Sequence, residues 1–357
     1  MDKIQLCRDI KSYLLKTFDF QDSREASVIT FWAIGTYFSD VFNAYPRLMI
    51  YGPKQSGKSK LLTFLSKICY NAHYTIIPSS AAMFRIVQHW KPTLLLDEFN
   101  LYTDREYKEV IAILRQGYKK GGKVPRCEKL RIKSEDGSRE LQEVIFYEVY
   151  CPVAFAGLTI NDDQLLDRCI AINLLRSNNP NIVHRDVDEV WFDSEKLVTW
   201  DGLRKCISEV FSKVQVSQSY EEFKKVYMPI SGRDRELWMP LLAIGHCVND
   251  GKSYDMWLDV TQYMQKYIKN KQEEDLSSFD LQVLGELERL DDLSRFQAKD
   301  VAELLNEGVT KPSEMYSSHA VGHALKRLGI KFRTINGKRY YSLTEEEYNM
   351  LKQRFGI

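Results

Sequence analysis

The chain has 357 residues, 50 Lys and Arg against 49 Asp and Glu, and a formal net charge of +1. That length suits two or three domains, and 44% apolar with 28% charged residues is a globular composition. Near-neutrality excludes a global basic field, so any nucleic-acid affinity must come from local patches. No apolar run has the length of a membrane span, and the charged N-terminus is no signal peptide. Seven cysteines, an odd number with no C-x-x-C spacing, read as buried thiols of a cytoplasmic protein.

Residues 1–46 are predicted to be a helical lead-in. Ile4, Cys7, Ile10 and Leu14 mark one helix face, and residues 28–42 form a second, more apolar helix. Residues 47–175, within a core domain of 47–192, alternate strands and helices, with strands at 47–51, 74–77, 93–97, 151–156 and 169–174. That alternation predicts an α/β fold, a parallel sheet covered by helices. The polar stretch 177–192, with Pro180, reads as a connector. Residues 193–278 return to helical periodicity as a small lid, with Trp238, Leu241, Leu242 and Ile244 in its core and a charged linker at 269–278. Residues 279–357 form a last unit: helices at 279–290, 298–305 and 317–328, a hairpin turning at Asn336-Gly337, and a helix at 345–355. Three helices followed by a hairpin is a winged-helix pattern.

Residues 52–59 read Gly-Pro-Lys-Gln-Ser-Gly-Lys-Ser, a complete G-x-x-x-x-G-K-[ST] phosphate loop. Gly52 and Gly57 let the backbone curl, so that N–H groups across Pro53, Lys54, Gln55 and Ser56 can point at phosphate oxygens. Lys58 brings a positive charge to the β- and γ-phosphates, and the Ser59 hydroxyl can ligate Mg²⁺. An apolar strand precedes the loop and a helical pattern follows it, so the helix N-terminus would face the phosphates.

The second half of a nucleotide site lies at residues 93–100, Thr-Leu-Leu-Leu-Asp-Glu-Phe-Asn. An apolar run suits a central parallel strand, and two carboxylates stand at its C-terminal end, where open α/β sheets bind ligands. Asp97 would hold Mg²⁺, and Glu98 would polarise the attacking water. The cofactors implied are ATP and Mg²⁺.

Two basic clusters interrupt the neutral chain. In the last unit, Lys326, Arg327, Lys331, Arg333, Lys338 and Arg339 fall on the third helix and the hairpin, interleaved with Tyr340 and Tyr341. Cations there match phosphate contacts beside a groove. The second cluster spans residues 115–133, eight cations against Glu128 alone, and includes Lys119, Lys120, Lys123, Arg131 and Lys133. A hairpin turning at 134–138 would carry Arg131, Lys133 and Arg139 near its tip and could track a nucleic-acid backbone. For both clusters a solvated basic face is the competing reading. His319 and His323 have metal-like i,i+4 spacing, without a third ligand in the sequence nearby.

With both nucleotide motifs placed, the chain resembles the AAA+ ATPases, and more narrowly the MCM-like and mobile-element replicative helicases of that class. Residues 165–172, Leu-Leu-Asp-Arg-Cys-Ile-Ala-Ile, are similar to the L-L-S-R-F-D-L-I stretch of MCM proteins. The resemblance implies that Arg168 is an arginine finger reaching the neighbouring subunit's ATP. Residues 232–243 look like the lid helix bearing sensor 2, which implies that role for Arg235, with Arg233 as the fallback. A sensor-1 Asn is missing from its usual place, and Thr159 or Asn161 stands nearest. The zinc-bearing N-terminal region of MCM proteins is absent, as is a primase signature. The family implies a ring of identical subunits, six in number, acting on single-stranded or forked DNA with a separate loader or primase. The expected function is an ATP-driven DNA helicase or translocase. An initiator or helicase loader, and a nucleotide-gated winged-helix regulator, are the alternatives.

Overall fold

The computed structural model describes residues 2–355 except 77–78, 99–104, 135–136, 158–161, 189–198, 227, 229, 231, 249–254, 276–277, 311–314 and 336. Within helices and strands, the side chains at 105–107, 129–134, 137–141, 272–275, 278 and 354–355 are not described. The chain divides into two compact units, Met1–Met264 and Gln265–Ile357.

In the first unit, α1 (Lys3–Thr17) begins at Asp2, whose carboxylate accepts the Gln5 N–H at 2.7 Å and satisfies one orphan donor of the first turn. α2 (Glu25–Gly35) is buried along its whole length, as an all-round apolar helix must be. Then come β1 (Arg47–Tyr51), α3 (Lys58–Ile68), β2 (Ala72–Ile76), α4 (Ser80–Trp90), β3 (Thr93–Asp97) and α5 (Arg105–Gln116). A long antiparallel hairpin follows, β4 (Lys123–Ser134) with β5 (Gly137–Glu148). β6 (Val153–Ala156), α6 (Asp163–Leu166), β7 (Cys169–Asn173) and α7 (Pro180–Val183) complete the α/β part. Four helices then follow: α8 (Trp200–Val210), α9 (Lys213–Lys225), α10 (Gly232–Val248) and α11 (Asp255–Asp275).

The sheet has five parallel strands in the order β2-β3-β6-β1-β7. The three inner strands are almost wholly buried, which is why they read as continuous apolar runs. Leu94 and Leu96 pack with Phe84, Val87, Val110 and Leu114 of α4 and α5. Strand alternation turns Leu95 to the opposite face, on the side of α3. β2 begins two residues earlier than the pattern predicts, because Ala72 and His73 pair in register with Thr93 and Leu94.

α1 and α2 join the helices that follow the sheet. Asp259 of α11 takes both the Lys11 ammonium (2.6 Å) and the Ser27 hydroxyl (2.7 Å), Arg8 pairs with Asp255, and Phe31 packs at Gly245 of α10. The polar stretch 269–278 is helical as far as Asp275. Lys, Gln and Glu are good helix formers, so polarity alone did not end the helix there. Among the described residues, no helix is long and apolar enough to cross a membrane.

The second unit holds α12 (Ser278–Glu286), a 3₁₀ turn at Leu287–Arg289, α13 (Ala298–Leu305), α14 (Ser318–Arg327), the hairpin of β8 (Lys331–Ile335) and β9 (Lys338–Ser342), and α15 (Glu345–Phe355). Its core gathers Val283, Leu284, Val301, Val321, Leu325 and Tyr341. The backbones of Phe296 and Tyr341 exchange two hydrogen bonds, at 3.1 and 2.8 Å, which tie the hairpin to the helices. Gly337 takes the left-handed conformation (φ 75°) that the turn requires.

Glu25, at the start of α2, is a buried acid. One oxygen accepts the Asn173 N–H (3.2 Å) and the Tyr263 hydroxyl (3.0 Å); the other has no partner among the described residues. Burial first of all pushes this carboxyl up to about 7. An acid whose folded value lies above its unfolded value destabilises the fold when ionised. The penalty is therefore full above about pH 7 and vanishes as pH falls through the ordinary carboxyl range. Stability should rise on acidification across that window, by at most roughly 3 kcal/mol, and Glu25→Gln should flatten the rise. Urea denaturation of both proteins between pH 8 and pH 5 tests this; parallel slopes would refute it.

Candidate nucleotide site

The phosphate loop is shaped by backbone that only small or strained residues accept. Gly52, Gln55 and Gly57 have φ of 149°, 65° and 93°. A Cβ on Gly52 would collide with the Leu174 carbonyl and lie 2.8 Å from the Ser56 hydroxyl oxygen. α3 starts directly after Gly57 and has no side-chain cap, so its first N–H groups are left for a ligand. Pro53, Lys54, Gln55 and Ser59 are exposed around the concavity. Ser56 is buried, and its hydroxyl has no partner among the described residues. The Lys58 ammonium donates to the Gly52 and Pro53 carbonyls at 2.9 and 2.8 Å. Burial lowers its pKa, and the Asp97 charge works the other way.

Asp97 ends β3, and β6 lies between β3 and β1. Because all strands run the same way, the loop after β1 and the acids after β3 share one edge of the sheet. Asp97 is 7% exposed, and both its oxygens are engaged: Oδ1 accepts the Glu98 N–H (2.9 Å) and Oδ2 the Tyr74 hydroxyl (2.7 Å). Desolvation, then the Asp97 carboxylate, push the Tyr74 hydroxyl above the ordinary phenol range, so it stays a donor. Glu98 is exposed and holds a left-handed backbone (φ 53°), a conformation costing an L residue about 1 kcal/mol. Such strain survives where the surroundings impose it. Thr159 and Asn161, which come after β6 in the sequence, lie outside the described residues.

Arg168 stands at the opposite edge. It precedes β7, its carbonyl accepts the Arg47 N–H (3.0 Å), and Arg47 opens β1. Five residues of strand, about 16 Å, separate that edge from the chain's own phosphate loop. The Arg168 guanidinium lies over the Tyr118 ring (5.2 Å) and donates to the Gln164 carbonyl. The start of α10 packs at the same edge. Arg233 pairs with Asp167, while Glu236 takes the Lys119 ammonium (2.6 Å) and the Tyr118 hydroxyl (3.3 Å). Arg235 turns onto the C-terminus of α9, donating to the Lys224 carbonyl at 2.8 Å. Arg47 itself is a fully buried cation. Its fork reaches the Leu114 carbonyl (3.2 and 3.1 Å) and the Cys151 carbonyl, and burial lowers its pKa.

The basic residues divide by what holds them. Lys119 is paired with Glu236, and Lys120 donates to the Asp40 carbonyl; both tie the foot of the β4–β5 hairpin to the body instead of lining a free loop. Lys123 is exposed at the first residue of β4. Arg131 and Lys133 lie in β4, opposite Glu140 and Ser138 in register, and their side chains are outside those described. The hairpin's lower half is docked on α4 through Arg85–Glu128 (2.6 Å) and Phe84 against Tyr147. Its outer face leaves Val144, Phe146 and Cys127 exposed, so not every cysteine is buried as composition suggests. In the second unit Arg327, itself exposed, pairs at 2.6 Å with Asp280, a fully buried carboxylate. Lys326, Arg333, Lys338 and Arg339 are exposed. The His319 and His323 rings lie 4.6 Å apart, and no metal-binding group of three or more His, Cys, Asp or Glu occurs among the described residues.

Tyr74 and Arg47 carry no motif, and the stretches 165–172 and 232–243 do not by themselves pair Asp167 with Arg233. Only the strand alternation of β2, which sets residue 74 on the same face as residue 76, hints at Tyr74.

No protein-family model and no curated protein matches the chain. Among solved structures, the apo A form of the NrS-1 C-terminal region aligns with 96% of this chain and 75% of its own, at 12% identity and a TM-score of 0.38. JCV helicase aligns with 79% of this chain and 63% of its own, at 11% identity and 0.30. Cdc6p from Pyrobaculum aerophilum aligns with 91% of this chain and 90% of its own, at 11% identity and 0.25. Likenesses this distant carry no argument of their own. The α/β, P-loop-like fold rests on the sheet order and the loop geometry described above.

Removing the Arg47 fork strands two buried carbonyls. Arg47→Ala should cost about 3 kcal/mol of stability. Arg47→Lys should recover only part, because one ammonium cannot span both acceptors with a planar fork. Denaturation midpoints of the two variants test this; a loss under about 1 kcal/mol for the alanine would refute it.

Proposed function

We propose that the chain is an AAA+ ATPase motor acting on DNA, of the MCM-like, mobile-element replicative helicase kind. The observation that carries this is the separation of functions by sheet edge. The phosphate loop and the Asp97-Glu98 pair share one edge, and Arg168 stands at the other. A chain so built has a hydrolysis site that lacks its finger, and a finger too far from its own site. Repetition around a ring, six subunits in this reading, brings them together at each interface.

The residues present fit a nucleotide with Mg²⁺. The Gly52 cradle has no room for a side chain, the buried Ser56 hydroxyl has no partner among the described residues, and the Lys58 ammonium feels the Asp97 charge. Ser59 and Asp97 are the oxygen donors that would hold the cation, whose chemistry is to neutralise charge on the β- and γ-phosphates. Lys58 would exchange its two loop carbonyls for phosphate oxygens. Glu98, exposed beside Asp97, would take the proton of the attacking water. Arg168 of a neighbouring subunit would present its fork to the γ-phosphate. Arg235 and Arg233 stand on the Arg168 side, so the sensor-2 role assigned to them also acts on the neighbour's nucleotide. In this reading α8–α11 form the lid, and the second unit is a winged helix. Exposed Lys123, Lys326, Arg333, Lys338 and Arg339, with Arg131 and Lys133 of the hairpin, contact the DNA backbone.

Hydrolysis should be stimulated by single-stranded DNA, with assembly in a non-hydrolysable analogue seen by mass. Slow, DNA-insensitive turnover with nucleotide-driven assembly would point instead to an initiator or loader. Arg168→Ala should keep nucleotide binding and assembly but lower turnover by about 10³-fold. Mixing it with Glu98→Gln should restore part of the turnover at mixed interfaces. No recovery in the mixture would refute a finger acting between subunits.

A separate outcome concerns the second unit. Reversing the charge of Lys326, Arg333 and Lys338 together should weaken DNA binding and lower its salt slope by about one for each phosphate no longer neutralised. A binding isotherm series in salt measures it, and an unchanged slope would move the DNA-binding surface elsewhere.

A further inference from the structure

Tyr74 is not part of any nucleotide motif, yet its hydroxyl lies 2.7 Å from Asp97 Oδ2. We infer that Tyr74 is a positioning residue for the Mg²⁺ site: its hydroxyl holds the Asp97 carboxylate in the orientation that receives the cation. This rests on the nucleotide reading proposed above and adds to it the element, β2, that sets the metal donor.

The register explains how the contact arises. Tyr74 pairs with Leu95, and Ile76 with Asp97. A side chain at 74 must therefore reach two residues along the neighbouring strand, about 6.6 Å, which a tyrosine can do and a shorter hydroxyl side chain cannot. Packing does not oblige the ring to lie there. Tyr74 is 40% exposed on the edge strand, and Ile76 on the same face is 57% exposed. The hydroxyl–carboxylate bond is the interaction that orients it.

The chemistry of the donor fits the task. Asp97 is the last residue of its strand, where a carboxylate could swing. Its two oxygens are held from different directions, Oδ1 by the Glu98 N–H and Oδ2 by Tyr74. Among the described residues each oxygen accepts one hydrogen bond, which leaves it a further lone pair. A phenol is a neutral donor, so it fixes the carboxylate without cancelling the charge that a cation needs. A lysine or arginine in its place would neutralise Asp97. Outer hydrogen bonds of this kind tune metal affinity strongly, by about 10-fold or more when removed.

Tyr74→Phe deletes one oxygen and keeps the ring. The test titrates a fluorescent ATP analogue into wild type, Tyr74→Phe and Lys58→Ala, each without metal and across a Mg²⁺ series, with thermal melting alongside. Tyr74→Phe should bind the analogue as wild type does without metal, still melt cooperatively, and need about 10-fold more Mg²⁺ for the metal-linked gain in affinity. Mn²⁺ binding followed by electron spin resonance should show the same weakening. If wild type responds to Mg²⁺, Lys58→Ala abolishes binding, and Tyr74→Phe matches wild type or binds the metal more tightly, the positioning role is wrong and the nucleotide site stands. If wild type binds no analogue at any Mg²⁺ concentration, both fall.

Discussion

Parallel pairing gives the two edges of this sheet different chemistry. Every strand in the order β2-β3-β6-β1-β7 ends at the same edge, so whatever follows β1 and β3 must meet there, across the end of β6. The curled backbone at Gly52 and Gly57, the exposed first turn of α3, and Asp97 with Glu98 are brought together by that constraint alone. The same constraint sends Arg168, which precedes β7, to the far edge. In the proposed reading it is a neighbouring copy that brings the two edges together, with Arg168 leaving its contacts to Gln164 and Tyr118 and Lys58 its two loop carbonyls.

Two buried ionisable groups show how the frame is braced. Arg47 enters β1 as a cation with carbonyls of Leu114 and Cys151 as its acceptors. Such a group is costly to bury and costly to remove, because its loss would leave carbonyls unsatisfied. It links the end of α5, the approach to β6 and the backbone of Arg168, so the Arg168 edge is held from inside. Glu25 does a related job at the other edge. It joins α2 to the end of β7 through Asn173 and to α11 through Tyr263, beside the strand end whose Leu174 carbonyl excludes any side chain from Gly52. The helices flanking the sheet are thereby coupled to the wall of the phosphate loop.

Cation placement separates structure from surface. Lys119, Lys120 and Arg327 are exposed members of the basic runs, yet each has a partner in the fold. A carboxylate within reach, as Asp280 is for Arg327, binds a guanidinium more strongly than water does, and which side chains find one depends on packing. The hairpin of β4 and β5 extends from a foot fastened by Lys119 and Lys120, with its lower half seated on α4. Its outer face stays open at Val144 and Phe146.

The nucleotide loop, the acidic strand end, the alternation of β1 to β3, the two hairpins and the helices of the second unit were all legible in the residues. Each depends on local rules: glycine's access to positive φ, apolar runs for buried parallel strands, and turn chemistry at residues 336–337. The Tyr74–Asp97 bond, the pairing of Arg327 with Asp280, the burial of Arg47 and the docking of α1 and α2 against α10 and α11 were not legible. They depend on which strand lies beside which, and on the register between them. Pairing β2 with β3 so that Tyr74 stands two residues behind Asp97 is a fact of the sheet, since neither strand's own pattern specifies its neighbour's offset. Local physics wrote the elements and the motif; the contacts that turn them into a site came from long-range packing, whose partners are distant in sequence.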